Sequence, residues 1–395
     1  MSTTPSDAPT SDIELFSDEA LAEPYELYRQ LRDLGPVVHL PAYDIYAIPR
    51  YAALRTVSKN WETFTSTAGV TLNDQMNRAT EGILICSDPP EHRLMRKVLA
   101  RPLRGQRLHS VRPLLEQEAR AVVGRLVRRG SFEAVTELAQ HLPVTVVSKL
   151  VGLGSFGREH MLEWAAAAFD AHGPDNARTR AAMPKVAELV DFAMHEATPE
   201  NLDPDGWAAA LYTAEAHGEL QAGRCPFMMV DYIGPSLDTT IHGTSSAIWL
   251  FARHPEQWEL MRQDPSLVRH AIDEVLRFES PIPRFTRVAT RDYQIDGVTI
   301  PAGSRVMLLY GSANRDERRY ECADRFDVTR RPSDHVAFGH GEHTCVGLNL
   351  ARLEMQLVLD ELVRTVERFE LISYERALNS NLRGLARLEV RVHAA

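Results

Sequence analysis

The 395-residue chain is poor in cysteine and has almost no lysine. Its four cysteines, Cys86, Cys225, Cys322 and Cys345, are too few and too scattered for a disulfide framework or a zinc cluster. Four of its 44 basic residues are lysines (Lys59, Lys97, Lys149 and Lys185). It shows no internal repeat and no low-complexity tract. No apolar run reaches the roughly 20 residues needed to cross a bilayer. Residues 1–11 are rich in Ser, Thr, Pro and Asp and lack the basic-then-apolar order of a signal peptide. They are expected to form a short disordered arm, and the missing anchor points to the cytoplasm. Positive charge is also scarce. The 44 basic residues against 54 acidic ones give a net charge of −10, which argues against a nucleic-acid partner. What is present is a 44% hydrophobic composition in a chain long enough to bury a large core.

Periodicity divides the chain into many helices and a smaller β-rich part. A short amphipathic helix is expected over 24–34, with Pro24 in its first turn. Alternation over 37–48 predicts a hairpin, followed by a polar loop over 67–87. Asp88-Pro89-Pro90 opens a helix that carries His92 and Arg96. Helical spacing dominates 108–150, and two further helices are expected over 159–171 and 179–197. A long apolar-rich helix is predicted over 228–253. Residues 281–306 read as short strands with the turn Asp296-Gly297. A charged, irregular connection spans 316–333, and a last helix is predicted over 346–369.

The richest signal is the run Phe338-Gly339-His340-Gly341-Glu342-His343-Thr344-Cys345-Val346-Gly347. A lone cysteine is usually a small core residue. This one lies in a glycine-bracketed loop just before a helical pattern, where backbone N–H groups and the helix dipole favour a thiolate. The glycines let the chain turn tightly and approach a flat ligand. Glu274 and Arg277 lie three apart on one helix face, a spacing that permits an ion pair. Asp238-Thr239-Thr240 lies inside the apolar helix, where Asp and Thr have weak helix propensity.

These three patterns, in this order and separation, resemble the cytochromes P450 over nearly the whole chain. The resemblance implies a mainly α fold with a smaller β-rich part, the cytochrome P450 fold, as one domain over 12–395. It implies haem b (iron protoporphyrin IX) with Cys345 as the thiolate ligand to iron, in a loop containing Phe338 and Gly339. His92, Arg96, Arg287 and His343 match positions of propionate donors, since haem carboxylates need charge-assisted partners. Glu274, Arg277 and Arg330 would form a structural ion-pair group. Asp238 and Thr239 would be the catalytic acid–alcohol pair that delivers protons to dioxygen. The cluster Arg93, Arg96, Lys97, Arg101, Arg104 and Arg107 would lie near the face where an acidic ferredoxin-type donor, served by its reductase, docks; a solvated helix face is the plain alternative. The chain departs from the family pattern at Pro235 and Ser236. A proline inside a helix costs about 3 kcal/mol and strips the carbonyl of Asp231 of its donor, so a kink is expected beside the iron.

Within the family, Arg277-Phe278-Glu279-Ser280-Pro281, Gly311-Ser312-Ala313-Asn314-Arg315-Asp316 and Asn381-Leu382-Arg383-Gly384-Leu385 resemble soluble bacterial enzymes that O-demethylate or hydroxylate para-substituted benzoates. Those enzymes hold the substrate carboxylate with Ser and Arg side chains. The matching positions here are Ala79, Gly82, Val230 and Gly234, none of which binds an anion by its side chain; Arg78 is one residue off register. Phe169, His172, Phe285 and Thr286 would surround the substrate, or simply pack in the core, with Gly82, Val230 and Gly234 completing the pocket. The implied function is oxidation of a neutral aromatic small molecule in secondary metabolism, with a tryptophan-containing cyclodipeptide as the specific candidate for hydroxylation or coupling. The alternatives are a benzoate O-demethylase and a non-catalytic haem-thiolate sensor or binding protein.

Overall fold

Residues 7–395 are described by a computed structural model. Residues 1–6, the start of the expected disordered arm, lie outside the described residues. The rest of that arm is not loose. Ser11 donates its N–H to the His39 carbonyl at 3.0 Å, and His39 donates to Pro9 at 2.8 Å. These backbone bonds lay residues 9–11 along the first strand, a correction that follows from the strand's free edge.

Among the described residues the strands are β1 (Val38–Leu40), β2 (Ile45–Ile48), β3 (Phe64–Thr65), β4 (Ser131–Glu133), β5 (Arg284–Ala289), β6 (Tyr293–Ile295), β7 (Val298–Ile300), β8 (Arg305–Leu309), β9 (Val366–Arg376) and β10 (Leu385–Ala394). The main sheet runs β1-β2-β8-β5-β3. The expected hairpin is its edge, pairing Val38 with Ala47. Inward alternation along β1 and β2 buries Val38, Leu40, Ile45 and Ala47 against Tyr28 and Leu31. Two smaller sheets, β4-β10-β9 and β6-β7, complete the β-rich part.

The helices make one large core. Helix Asp238–Arg253 runs through its middle, with Ile241, Ile248, Trp249, Leu250 and Phe251 all buried. Helices Gly105–Arg129, Val268–Glu279 and Leu348–Thr365 contribute to the same core. Helix Leu348–Thr365 turns directly into β9, so 366–369, expected as helix, is strand; Val366 and Phe369 pair with β10. The expected polar loop over 67–87 contains helix Asp74–Ala79 and a short turn at Leu84–Cys86. Asn73 caps that helix through Met76 N–H at 2.8 Å, a start signal present in the sequence. Helix Trp207–Ala216 was not foreseen either.

The central helix differs most from expectation. Instead of one helix over 228–253 there are two, Cys225–Ile233 and Asp238–Arg253. The cause is Pro235, which cannot donate to the Asp231 carbonyl. The kink is a full break over 234–237. Ser236 bends back to donate its hydroxyl to the Tyr232 carbonyl.

Candidate active site

The cysteine loop is held by its own backbone. Cys345 donates its N–H to Phe338 O at 2.8 Å, and Gly339 donates to Val336 O at 2.9 Å. Gly339 and Gly341 adopt φ values of +72° and +79°, which disfavour any side chain. At Gly341 a Cβ would also meet the Ser58 carbonyl oxygen at 2.7 Å. The Cys345 sulfur lies at the N–H groups of Gly347 and Leu348, where helix Leu348–Thr365 begins. Burial pushes the thiol pKa up; these N–H groups and the Arg96 and Arg352 guanidinium groups pull it down. Although deep in the molecule, Cys345 keeps accessible surface because it faces an internal cavity of about 290 Å³.

The four proposed propionate donors also line that cavity, as does Phe338 with Gly339. His92 is fully buried, and neither ring nitrogen has a partner. Burial, then His343 and Arg96, lower its pKa to about 4. Its ring centroid is 4.4 Å from that of His343. His343 Nε2 is 3.1 Å from Ser66 Oγ and 3.7 Å from Asp88 Oδ1. Arg96 donates to the Thr344 carbonyl, and Arg287 to its neighbour Thr286 at 2.6 Å. Buried polar atoms in native proteins are seldom left unpaired. Two orphan imidazole nitrogens beside two guanidinium groups and a cysteine sulfur therefore fit an acid-bearing flat ligand, which is what haem is.

On the opposite wall, Thr239 and Thr240 border the cavity, and Thr239 donates its hydroxyl to Pro235 O at 3.2 Å. Asp238 does not border it. The expected acid–alcohol pair is adjacent in the chain but is not brought to one surface, because the helix turns residue 238 into the core. The Asp238 carboxyl is buried with Oδ2 unpartnered, and desolvation pushes it up to about 7. The folded state thus holds this proton more tightly than the unfolded one. The associated stability is complete below the ordinary value of 3.8 and is lost as pH rises through about 7. Asp238→Asn is therefore expected to gain thermal stability relative to the parent as pH rises from about 4 to about 7. Parallel curves of Tm against pH would refute this.

Two acids that do border the cavity were missed. Asp231 lies just before the helix break, and burial pushes its carboxyl to about 7. Glu354 is buried on helix Leu348–Thr365 with Oε2 unpartnered, and burial raises its pKa well above the carboxylate range. The signal for Glu354 was available: an acid inside the apolar stripe Leu350, Leu353, Leu357.

Phe169, His172, Val230, Gly234 and Phe285 line the cavity as expected. The His172 ring lies 5.5 Å from Phe169 and 5.6 Å from Phe285. Burial drives its pKa to about 3, so the ring is neutral. Two pocket assignments fail. Gly82 lies outside the lining, and its carbonyl accepts from Arg224 at 3.3 Å. Thr286 sits on β5 facing the other way, donating to Thr71 O at 3.2 Å and accepting from Arg305 at 3.0 Å. Arg78, the possible displaced anchor, is also absent from the lining.

Away from the cavity, Arg277 and Glu274 form a two-pronged ion pair at 2.7 and 2.8 Å, both fully buried. Arg330 joins Glu274 at 3.3 Å. The remaining Arg277 protons go to Asn314 O at 2.7 Å and Ala323 O at 2.9 Å. The group ties helix Val268–Glu279 to the irregular 316–333 segment.

Comparison with known proteins agrees with this geometry. Residues 228–388 match the family model described as Cytochrome P450. The chain is 36% identical to Cytochrome p450 CYP199A2 of Rhodopseudomonas palustris, over 100% of this chain and 98% of that protein. It is 32% identical to Linalool 8-monooxygenase of Pseudomonas putida, over 93% and 95% of the two chains. Among solved structures, cytochrome P450 CYP109Q5 from Chondromyces apiculatus superposes with a TM-score of 0.81 at 27% identity, covering 97% of this chain and 99% of that one. P450BioI, solved with an acyl carrier protein, shares the fold with a TM-score of 0.86 at 24% identity over 95% and 99%. With full-length relatives, a matching fold and a cysteine loop facing donors for a haem, the chain belongs to the cytochrome P450 family of haem-b monooxygenases.

Proposed function

We propose that this enzyme oxidises a neutral aromatic small molecule, with O2 and electrons from a ferredoxin-type donor. The observation that carries the reading is where the cations of the cavity sit. The guanidinium groups of Arg96 and Arg287 gather with the Cys345 loop and Phe338, beside His92 and His343. The wall formed by Phe169, His172, Val230 and Phe285 has none, since burial keeps His172 neutral. A carboxylate placed there would lose its hydration without gaining a cation.

The bound haem supplies oxidation chemistry at iron. The chain's own residues position that chemistry. Cys345 would hold the iron in the thiolate-favouring loop, and the His92, Arg96, Arg287 and His343 group would hold the acidic edge. Thr239 offers a hydroxyl at the cavity wall for moving a proton. The apolar wall excludes water and orients an aromatic ring by stacking and edge contacts with Phe169 and Phe285. Lys97, Arg104 and Arg107 are exposed and available to an acidic donor, whereas Arg93 and Arg101 are paired to Glu342 and Glu219. No helix of the described residues is long and apolar enough to cross a membrane.

A tryptophan-containing cyclodipeptide, uncharged and aromatic through its indole, meets these demands and is the specific substrate proposed. A Soret spin-state titration with that compound and with 4-methoxybenzoate tests it. A shift with the cyclodipeptide and none with the benzoate supports the neutral pocket; a saturable shift with the benzoate alone overturns it. The broken helix also bears on the product. Pro235→Ala is expected to restore helical continuity and change the ratio of hydroxylated to coupled product. An unchanged product profile would show the break to be incidental.

A further inference from the structure

Asp231 is an acid on the cavity wall with one backbone partner and no cation. It lies between Val230 and Gly234, two positions on the cavity wall, and borders the cavity itself. Its Oδ2 accepts the Leu84 N–H at 2.9 Å, and its Oδ1 has no protein partner among the described residues. No cation answers it. The ionisable groups that feel its charge are Cys86 and Tyr232. Burial holds Cys86 as a thiol, up to about 11, and raises the Tyr232 phenol as well. The cations of the cavity, Arg96 and Arg287, lie with His92, His343 and the Cys345 loop.

The main chain adds a second acceptor at the same residue. Pro235 leaves the Asp231 carbonyl without its helical donor. The neighbouring carbonyls are provided for: Val230 O accepts from Gly234 N at 2.9 Å, and Tyr232 O from the Ser236 hydroxyl. The break therefore leaves one residue presenting acceptors from both its side chain and its backbone. Asp231 keeps some accessible surface and borders the cavity, so a ligand that donates there would pair an acceptor otherwise left without a protein partner.

We infer that Asp231 determines substrate specificity by accepting an N–H from the aromatic substrate, from an amide, lactam or indole nitrogen, and by rejecting carboxylates. The inference rests on the neutral-substrate reading above and deepens it. Burial, which pushes the Asp231 carboxyl up to about 7, agrees with a group that lacks its ionic partner until a donor arrives.

The test uses the haem-loaded enzyme and three azoles that anchor themselves on iron: 4-(imidazol-1-yl)benzamide, its N,N-dimethylamide and 4-(imidazol-1-yl)benzoate. Iron ligation makes every affinity readable from the Soret shift. The parent should bind the benzamide about tenfold more tightly than either other probe. In Asp231→Asn the side-chain oxygen can still accept from Leu84, which turns an NH2 group toward the cavity. That variant should lose the benzamide preference and bind the benzoate about tenfold better than the parent does. A merely structural residue would move all three affinities together. Equal benzamide and dimethylamide affinities in the parent, with a weaker benzoate, would overturn the role of Asp231 and leave the neutral pocket standing. A benzoate that binds the parent most tightly would sink both.

Discussion

Cys345→Ser is expected to yield a folded protein whose reduced carbonyl complex lacks the thiolate-specific Soret band and whose turnover falls by more than about 100-fold. That bound is the upper end of what losing a mere supporting contact to a metal ligand costs, and here the ligand itself is lost. The loop should survive, because its shape is set by backbone. The Cys345 N–H bond to Phe338 O and the left-handed Gly339 and Gly341 do not involve the sulfur. A serine hydroxyl would still meet the Gly347 and Leu348 N–H groups. It has a far higher pKa than a thiol and would not be ionised by two N–H groups and two guanidinium groups. Retention of the thiolate band in the variant would show that another residue ligates the iron.

Glu274→Ala should be the most damaging single change to folding. Arg277 is fully buried, and its carboxylate partner supplies two of its bonds. Removing one member of a buried pair strands the other charge, at a cost of about 3–5 kcal/mol. Native stabilities are only about 5–15 kcal/mol, so the loss would be a large share of the total. The change should appear as a lower denaturant midpoint and poor haem content. Arg330→Ala should be milder, since Arg330 makes a longer contact of 3.3 Å and keeps some solvent access. An unshifted midpoint for Glu274→Ala would mean that Arg277 is held well enough by Asn314 O and Ala323 O alone.

The parts of the site that sequence conveyed best are those set by short-range backbone chemistry. The cysteine loop, the Glu274–Arg277 pair and the Pro235 defect are each legible within ten residues. Surfaces that come together from distant segments were harder to read. Val230 and Phe285 do line the cavity, but Thr286 does not. On a strand, adjacent residues face opposite sides, so accepting Phe285 should have excluded its neighbour. Asp238 was misplaced for a related reason. Its side chain's direction depends on where the second helix begins, and a single kinked helix over 228–253 gave a different phase from the two helices observed. In the sequence Asp231 stands out only as the owner of an orphan carbonyl. Its side chain is placed by a bond to Leu84, 147 positions away, which no local pattern encodes.

The break at 234–237 also divides labour along one stretch of chain. Asp231 and Val230 lie on the upstream helix, and Thr239 on the downstream one, with no continuous hydrogen-bond ladder between them. A substitution upstream can tilt its short helix without rotating the threonine out of place. In an unbroken helix the two would share one phase. Here a change on the upstream helix need not carry Thr239 with it. For the protein engineer the break marks residues 225–233 as a cassette to randomise as a unit.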